Sequence, residues 1–506
     1  FAEMYMTPEY VENYVTHNPK KPYILCEYAH AMGNSGGVMK EYWDLARKNP
    51  HFQGGFIWDF VDQGLRGKDD KGNMIYKYGG DYNSYDPSDN NFNCNGLINP
   101  DRIPNPEIWN MKYYYQNYWA EPIDLNAGTI SVYNENFFAK PENVSLSWAI
   151  VADGIEYQNG TIADISMLPP HKKMELVLPY KLNDYKNQKD VMLNIEFRLK
   201  KDEGLLKAGH IVAQRQMPIR EFTGNDLAVN PASLKAVKLV DKKKEPQIAL
   251  HAENFTLQFD RKTGFFWRAP TDNDMGANLG KKLAAWRSPK MKLASLTADK
   301  KTKTVTAVYD MPTVKSQLTL TYQVEDNGTL NVTQALKTTP GAKVERMLRF
   351  GMTMNLPYQM DQSTWNGRGP VESYVDRKIS QNVGLYKSTA DKMFFAYVRP
   401  QENGNMTDIR WWQQTDNNGA GFRVESDGLF SASALHYNQA DLDDGEAKRQ
   451  SHSQSVPKSK YTNLNIDLTQ EGVGGIDSWG AEALPAYRMA YKDYTLRFRI
   501  TPKTLY

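Results

Sequence analysis

The sequence has few cysteines and no long apolar run, and both shortages exclude classes of protein. Its 506 residues contain only two cysteines, Cys26 and Cys94, which cannot make a disulfide framework. No apolar stretch approaches the roughly 20 residues that a membrane-spanning helix needs. The formal net charge of +2 gives no reason to expect a nucleic-acid partner. Cysteine usage leaves the compartment open between cytoplasm and periplasm.

What is present indicates a folded chain of several domains. Hydrophobic residues make up 40% and charged residues 24%, as in ordinary globular proteins. The length suggests about three domains. The chain begins at Phe1 with no initiator Met and no signal peptide. Only two or three barrel-type strands precede the β-rich part, so we expect this sequence to be the C-terminal part of a longer protein.

One stretch near the start has the pattern of a catalytic unit. Residues 23–26 are a short apolar run that suits a buried strand, and Glu27 follows it before a turn that contains glycine. Apolar residues from about 38 to 48 then lie on one face of a predicted helix. A (β/α) barrel places its catalytic groups in such a strand–loop–helix unit. Glu27 is therefore a candidate catalytic carboxylate, although a carboxylate that caps the next helix remains an alternative. Cys26 is expected to be a buried small hydrophobe.

The rest of the chain reads as all-β. Short alternating strands between about 119 and 222 predict an immunoglobulin-like β-sandwich, with turns at Asp153-Gly154 and Asn159-Gly160. A polar linker at 223–246 leads into a strand-rich region that ends at 506. There the Asp326-Asn327-Gly328 segment predicts a hairpin. The predicted fold is thus multidomain α/β plus all-β: the C-terminal part of a (β/α)8 barrel at 1–118, the sandwich at 119–222 and a large β-supersandwich at 223–506.

Several motifs resemble those of the large bacterial β-galactosidases of glycoside hydrolase family 2, and they occur in the same order along nearly the whole chain. They are ILCEYAHAMGNS at 24–35, GGFIWDFVDQ at 54–63, YGGD at 78–81, RAPTDND at 268–274, GRGP at 367–370 and DSW at 477–479. The resemblance implies hydrolysis of terminal β-D-galactose with retention of configuration, with a β-galactoside such as lactose as the substrate. It also implies a homo-oligomer. β-Glucuronidase or β-mannosidase activity and a non-catalytic carbohydrate-binding or complementing fragment are the alternatives.

The resemblance assigns two residues to the chemistry. Glu27 corresponds to the nucleophile, and Tyr5 corresponds to a tyrosine that hydrogen-bonds to it. Retaining glycosidases need a second carboxyl group as acid/base, which the resemblance places upstream of this sequence. A barrel-rim aromatic without a catalytic role is the alternative for Tyr5.

Three further residues correspond to substrate contacts. His30 would contact galactosyl hydroxyls, Trp58 would form the floor under the sugar ring, and Trp479 would stack on the aglycone from a glycine-rich loop. The alternatives are a structural histidine, a core tryptophan and an ordinary surface loop.

Phe92 and Asn95 match a segment that supplies a backbone carbonyl and a side-chain oxygen to a sodium ion, and Asn95 also borders the substrate. Hard cations prefer such oxygen ligands, although a plain Asn-Gly turn is the alternative. The magnesium ligands of the family are mostly upstream. One junction near Gly264 and Phe266 is shorter than in similar proteins, which indicates either a deletion or a missing stretch.

Overall fold

A sheet of three parallel strands organises the first region of the chain. This computed structural model describes residues 1–182, 185–253, 255–260 and 266–503, so most of the unusual junction, at 261–265, lies outside the described residues. The strands of the region are β1 Ala2–Met4, β2 Tyr23–Tyr28, β3 Phe52–Ile57, β4 Leu65–Lys68 and β5 Met74–Lys77. Its helices are α1 Pro8–Thr16, α2 Met39–Lys48 and α3 Ile108–Tyr114. The parallel sheet has the order β1-β2-β3, which makes β2 the central strand.

Local sequence accounts for these elements. Thr7 caps α1 by accepting the Tyr10 backbone N–H, and Pro8 stands in the first turn, where its missing N–H costs nothing. The α2 helix buries Met39, Tyr42 and Leu45 against the sheet side of the region. These positions recur at helical spacing, as the sequence predicts.

The central strand β2 differs from the prediction in two ways. It continues through Tyr28, so Glu27 lies inside the strand and not beyond its end. The prediction that Cys26 is buried is wrong, because Cys26 is exposed. Side chains alternate along a strand, so Cys26 faces away from the buried Leu25.

Seven strands form the second region. They are β6 Tyr118–Asp124, β7 Thr129–Asn134, β8 Val144–Ala152, β9 Ile155–Ile162, β10 Lys173–Val177, β11 Val191–Leu199 and β12 Ile211–Arg220. They make two sheets, in the orders β10-β7-β6 and β12-β11-β8-β9. An apolar core that includes Leu146, Ile150, Leu193 and Phe197 fills this region.

The predicted turn at Asn159-Gly160 is wrong, because both residues lie inside β9. Gly160 is opposite Trp148 on the neighbouring strand β8. A Cβ atom at Gly160 would come within 2.8 Å of the Trp148 indole, so glycine here makes room for the ring and does not turn the chain.

The third region is dominated by a 12-stranded sheet. The strands after residue 222 are β13 Leu234–Lys235, β14 Lys238–Val240, β15 Gln247–His251, β16 Thr256–Asp260, β17 Lys292–Asp299, β18 Thr304–Met311, β19 Ser316–Glu325, β20 Leu330–Thr338, β21 Arg349–Pro357, β22 Gln362–Gly369, β23 Asn382–Thr389, β24 Met406–Thr415, β25 Gly421–Leu435, β26 Tyr461–Gln470 and β27 Tyr494–Lys503. The short helices are α4 Asp272–Gly276, α5 Leu279–Lys282, α6 Ala284–Arg287 and α7 Ala390–Met393.

Two sequence features of this region have clear structural counterparts. The Asp326-Asn327-Gly328 segment joins β19 and β20, which pair antiparallel as a hairpin. The predicted linker contains β13 and β14, and β14 pairs with β15. Among the described residues, no helix has the length and apolar character that crossing a membrane requires.

Candidate active site

Glu27 lies at the centre of the parallel sheet, beside the end of β1. Its Cα is in register with Met4, and the Tyr5 backbone N–H donates to the Glu27 carbonyl oxygen at 2.9 Å. Burial and a side-chain hydrogen bond with Glu27 raise the pKa of Tyr5 far above its ordinary value. The Tyr5 hydroxyl therefore stays protonated and can donate to the Glu27 carboxylate. Tyr5 also has a positive φ of 52°, an uncommon conformation for a side chain of this size.

Four aromatic side chains from distant parts of the sequence meet beside Glu27 and form what we call the ring cluster: Tyr5, His30, Phe92 and Trp479. The Tyr5 and Trp479 centroids are 4.7 Å apart, and the His30 and Trp479 centroids are 5.3 Å apart. His30 stacks on Phe92 at 5.1 Å, and Phe92 lies 5.7 Å from Trp479. The loop that carries Trp479 thus reaches the barrel residues, and its indole remains 47% exposed.

His30 is buried and uses both ring nitrogens within the protein. Its Nδ1 lies 2.9 Å from the Ser478 hydroxyl, and its Nε2 lies 3.2 Å from the Asn95 amide nitrogen. Burial, only partly offset by Asp477, Asp272 and Asp59, lowers the pKa of His30 to about 4. The imidazole is therefore neutral at neutral pH. Both of its partners are side chains.

Asn95 presents an oxygen that fits a cation. Its amide nitrogen donates to the Phe92 carbonyl at 3.0 Å, whereas its side-chain oxygen is buried and has no hydrogen-bond partner. A buried amide oxygen without a partner costs free energy, so its presence calls for a ligand. The Phe92 carbonyl retains a second lone pair. These two oxygens fit a sodium ion. Among the described residues, no three or more His, Cys, Asp or Glu side chains are grouped so as to hold a metal ion.

Trp58 stands outside the ring cluster, on an adjoining cavity. Its backbone is tied to the loop after β2, because its carbonyl accepts the Ala31 N–H at 2.8 Å. The indole is 41% exposed. It lines a cavity of about 560 Å³ together with Phe92, Asn95 and residues of the 79–90 stretch. The structure thus brings Trp58 to the edge of the site that holds Phe92 and Asn95.

The loop with Trp479 is held within the C-terminal region by buried polar groups that the sequence did not single out for the site, and it packs directly on the barrel residues. The Gly474 N–H donates to the Asp376 carboxylate at 2.8 Å, and burial raises the pKa of Asp376 to about 6. Arg268 and Asn273 donate to the Gly472 and Val473 carbonyls at 3.3 and 3.0 Å. Gly474 packs so closely that a Cβ atom would lie 2.2 Å from the Gly37 nitrogen.

Asp272 is a second such group and joins three segments of the chain. One of its oxygens accepts from Asn91 at 3.0 Å and from Gln401 at 2.9 Å. The other pairs with Arg399 at 3.2 Å and with Lys448 at 3.0 Å. Although burial opposes ionisation, these cations hold the pKa of Asp272 well below its ordinary value. Membership of the RAPTDND and DSW motifs was the only sequence signal that could have singled out Asp272, Asn273 and Ser478.

Known families match the chain in three consecutive stretches. A family described as "Glycosyl hydrolases family 2, TIM barrel domain" matches residues 1–119, "Beta-galactosidase, domain 4" matches residues 130–220, and "Beta galactosidase small chain" matches residues 247–500. The predicted fold class is confirmed by these matches together with the observed sheets. The residue boundaries that we assign to the three regions stay predictions.

Curated relatives agree with the family matches. A β-galactosidase of Priestia megaterium is 33% identical over 99% of this chain and 50% of its own length. Those of Lactobacillus delbrueckii subsp. bulgaricus and Halalkalibacterium halodurans are 32% and 30% identical, over 100% and 96% of this chain and 50% and 49% of their own lengths. The chain spans about half the length of the curated relatives it matches. It belongs to the β-galactosidases of glycosyl hydrolase family 2.

Proposed function

We propose that this protein hydrolyses terminal non-reducing β-D-galactose residues of β-galactosides such as lactose, with retention of configuration. The observation that carries the proposal is Glu27 on the central parallel strand, with Tyr5 bonded to its backbone and the ring cluster beside it. The family supports the choice of galactose, since each curated relative named above is a β-galactosidase.

Glu27 has the role of nucleophile in this proposal. Its carboxylate oxygen attacks the anomeric carbon as the glycosidic C–O bond breaks, and a second carboxyl group protonates the departing oxygen. Water then cleaves the glycosyl ester and releases galactose and the free Glu27 carboxylate. The family resemblance places the second carboxyl group outside these residues. Tyr5 holds the attacking carboxylate in place by its hydrogen bond.

Sodium and magnesium are proposed cofactors. The Asn95 side-chain oxygen and the Phe92 carbonyl would hold sodium, which supplies a positive charge that orients sugar hydroxyl oxygens. Magnesium would be held mostly by residues outside this chain. Asn95→Ala should weaken the dependence of galactoside affinity on sodium and leave its dependence on magnesium unchanged. An equal sodium response in variant and parent would remove the ion from this segment.

The test of the main proposal is to trap the glycosyl ester. A 2-deoxy-2-fluoro-β-galactoside should label the protein, and peptide mass mapping should place the label on Glu27. A label on another carboxylate would refute the assignment. A chain that binds galactose but is never labelled would support the alternative of a carbohydrate-binding or complementing segment. The proposed domain boundaries and homo-oligomer can be measured by limited proteolysis and sedimentation velocity.

A further inference from the structure

A chain of hydrogen bonds runs from the C-terminal region to Asn95. The groups at its two ends determine which atom donates in each bond. At one end the Val473 carbonyl, which can only accept, lies 3.0 Å from the Asn273 amide nitrogen. Asn273 must therefore turn its oxygen towards Ser478, whose hydroxyl lies 2.5 Å away and donates to it. The Ser478 oxygen then has lone pairs left for His30 Nδ1 at 2.9 Å. His30 Nδ1 must carry the proton.

The other end of the chain requires the same tautomer independently. The Phe92 carbonyl accepts one hydrogen of the Asn95 amide nitrogen at 3.0 Å. The same nitrogen lies 3.2 Å from His30 Nε2, which must accept the second hydrogen. Nε2 is therefore unprotonated. Because both N–H groups are used on this side, the Asn95 oxygen is turned away from His30 and stays without a protein partner.

We propose that Ser478 and Asn273 are positioning residues that fix the Nδ1-protonated tautomer of His30 and thereby keep the Asn95 side-chain oxygen free to bind a hard cation or a sugar hydroxyl. Only the last link, the ligand of Asn95, rests on the proposed function. The tautomer follows from the hydrogen bonds alone.

Loss of the Ser478 hydroxyl has a specific consequence for the site. His30 Nδ1 would lose its acceptor, which favours the tautomer protonated at Nε2. That Nε2–H would point at the Asn95 amide nitrogen, another donor, so the Asn95 amide would have to rotate. Rotation turns the Asn95 oxygen towards His30 and removes it from the ligand. This chain of hydrogen bonds, which we call the relay, thus connects a loop of the C-terminal region to a ligand-binding oxygen of the barrel region.

The tautomer is measured directly by nitrogen NMR of the intact protein labelled with ¹⁵N-histidine. The sequence contains 8 histidines, and a His30→Gln variant identifies the His30 signals by their loss. We expect His30 to be protonated at Nδ1 in the parent protein and in Ser478→Thr, which keeps the hydroxyl. In Ser478→Ala the Nε2-protonated form should appear. A parent protein protonated at Nε2 would overturn the proposal even if Ser478→Ala fails to fold.

Ligand binding tests the final link with ²³Na NMR and with the KM of a galactoside. Ser478→Ala should weaken sodium binding about fivefold, the effect of one lost hydrogen bond. It should also raise KM by a similar factor, with less than about twofold change in kcat. Ser363→Ala is the matched control, because Ser363 is a buried serine that donates to Gln414 at 2.9 Å within the large sheet. Equal losses in both serine variants would reduce Ser478 to a structural role and refute the proposal.

The outcomes separate this inference from the proposed function. If the parent shows the expected tautomer but sodium and galactosides do not bind, the relay stands and the proposed function fails. If both ligands bind and Ser478→Ala changes neither the tautomer nor the affinity, the proposed function stands and the relay is refuted.

Discussion

The sandwich and the contact between the barrel residues and the large β region are built on opposite principles. The sandwich core is apolar, with Leu146, Ile150, Leu193 and Phe197 fully buried between its two sheets. The contact is filled with buried polar groups such as Asp272 and Arg377. An apolar core depends on volume and patterning, whereas a buried charge depends on having each of its partners in place.

Arg377 illustrates the polar contact. Its guanidinium donates to Asn34 at 2.8 Å and to Glu372 at 2.9 Å, and lies 3.4 Å from a Glu107 oxygen. Asn34 belongs to the loop that follows β2 and also carries His30. The same charge network that joins the two regions therefore positions a loop of the site. We therefore expect the sandwich to tolerate the loss of an apolar contact without consequence for the site, whereas loss of one partner in the polar contact should disturb the loop that carries His30.

The largest expected effect concerns chemistry and not folding. In the longer protein that supplies the second carboxyl group, Glu27→Gln should lower the turnover rate by many orders of magnitude, because a neutral amide cannot form the glycosyl ester. Its thermal unfolding should change little, since glutamine has the same shape. Glu3→Gln on the adjacent strand is the matched control. It should retain turnover, because the Glu3 carboxylate serves as acceptor for the Tyr23 hydroxyl, at 2.8 Å. Comparable losses in both variants would mean that the effect comes from the sheet and not from a nucleophile.

The next largest effect compares the polar contact with the sandwich core directly. Arg377→Met leaves buried carboxylates without their cation and should cost about 3–5 kcal/mol of unfolding free energy. Leu193→Ala in the sandwich core should cost about 2–5 kcal/mol by leaving a cavity. Urea unfolding measures both. Only Arg377→Met should also weaken galactose binding, measured by calorimetry, because its loss releases Asn34 and the loop with His30. If Leu193→Ala weakens binding as much, the two regions are not independent.

The same contrast explains what could be predicted from sequence. The sandwich strands were predicted because alternation along 145–150 is visible within a few residues. The prediction of a turn at Asn159-Gly160 was wrong because the glycine there makes room for Trp148 on the neighbouring strand. The prediction that Cys26 is buried was wrong because an apolar run does not show which way each side chain points. Asn273 and Ser478 were missed because their partners are hundreds of positions away and no local pattern reports them.

The resemblance supplied what local patterns could not. Glu27, Tyr5, His30, Phe92, Asn95 and Trp479 were singled out by motif, and the structure brings them to one place. Their roles remain predictions. What the motif could not predict is that both nitrogens of His30 are already bonded to protein side chains. These bonds and the burial of the ring, which is 1% exposed, fix the position of His30 beside Phe92 and Trp479.

A buried carboxyl group within the large β region gives the third effect. Burial raises the pKa of Glu402 from 4.5 to about 7, although Arg268 and Arg349 oppose the shift. Between these values the folded protein holds a proton that the unfolded chain has lost, so the free energy of unfolding falls as pH rises through this window. From pH 5.5 to pH 8 the loss from this group is about 2 kcal/mol. Glu402→Gln should abolish it.

The measurement is the melting temperature of both proteins at the two pH values. Relative to the parent, Glu402→Gln should gain stability at pH 8 and gain little at pH 5.5. A constant difference across pH would show that Glu402 does not titrate in this window. The sandwich core offers no comparable dependence, because its members are apolar.

The smallest expected effect belongs to Trp479, which lies where the large β region meets the barrel residues. Its indole makes edge-to-face contacts with Tyr5 and His30 and is 47% exposed, so part of it is available to a ligand. If the indole stacks on the aglycone, it contributes about 1–2 kcal/mol. Trp479→Ala should then raise the KM for lactose roughly tenfold and affect inhibitors that contain only galactose much less. Trp109→Ala, which removes another exposed indole at 40% exposure, is the matched control and should change neither value. Equal losses for lactose and galactose would instead mean that Trp479 supports Tyr5 and His30, so that the C-terminal loop would serve the site only as a structural support.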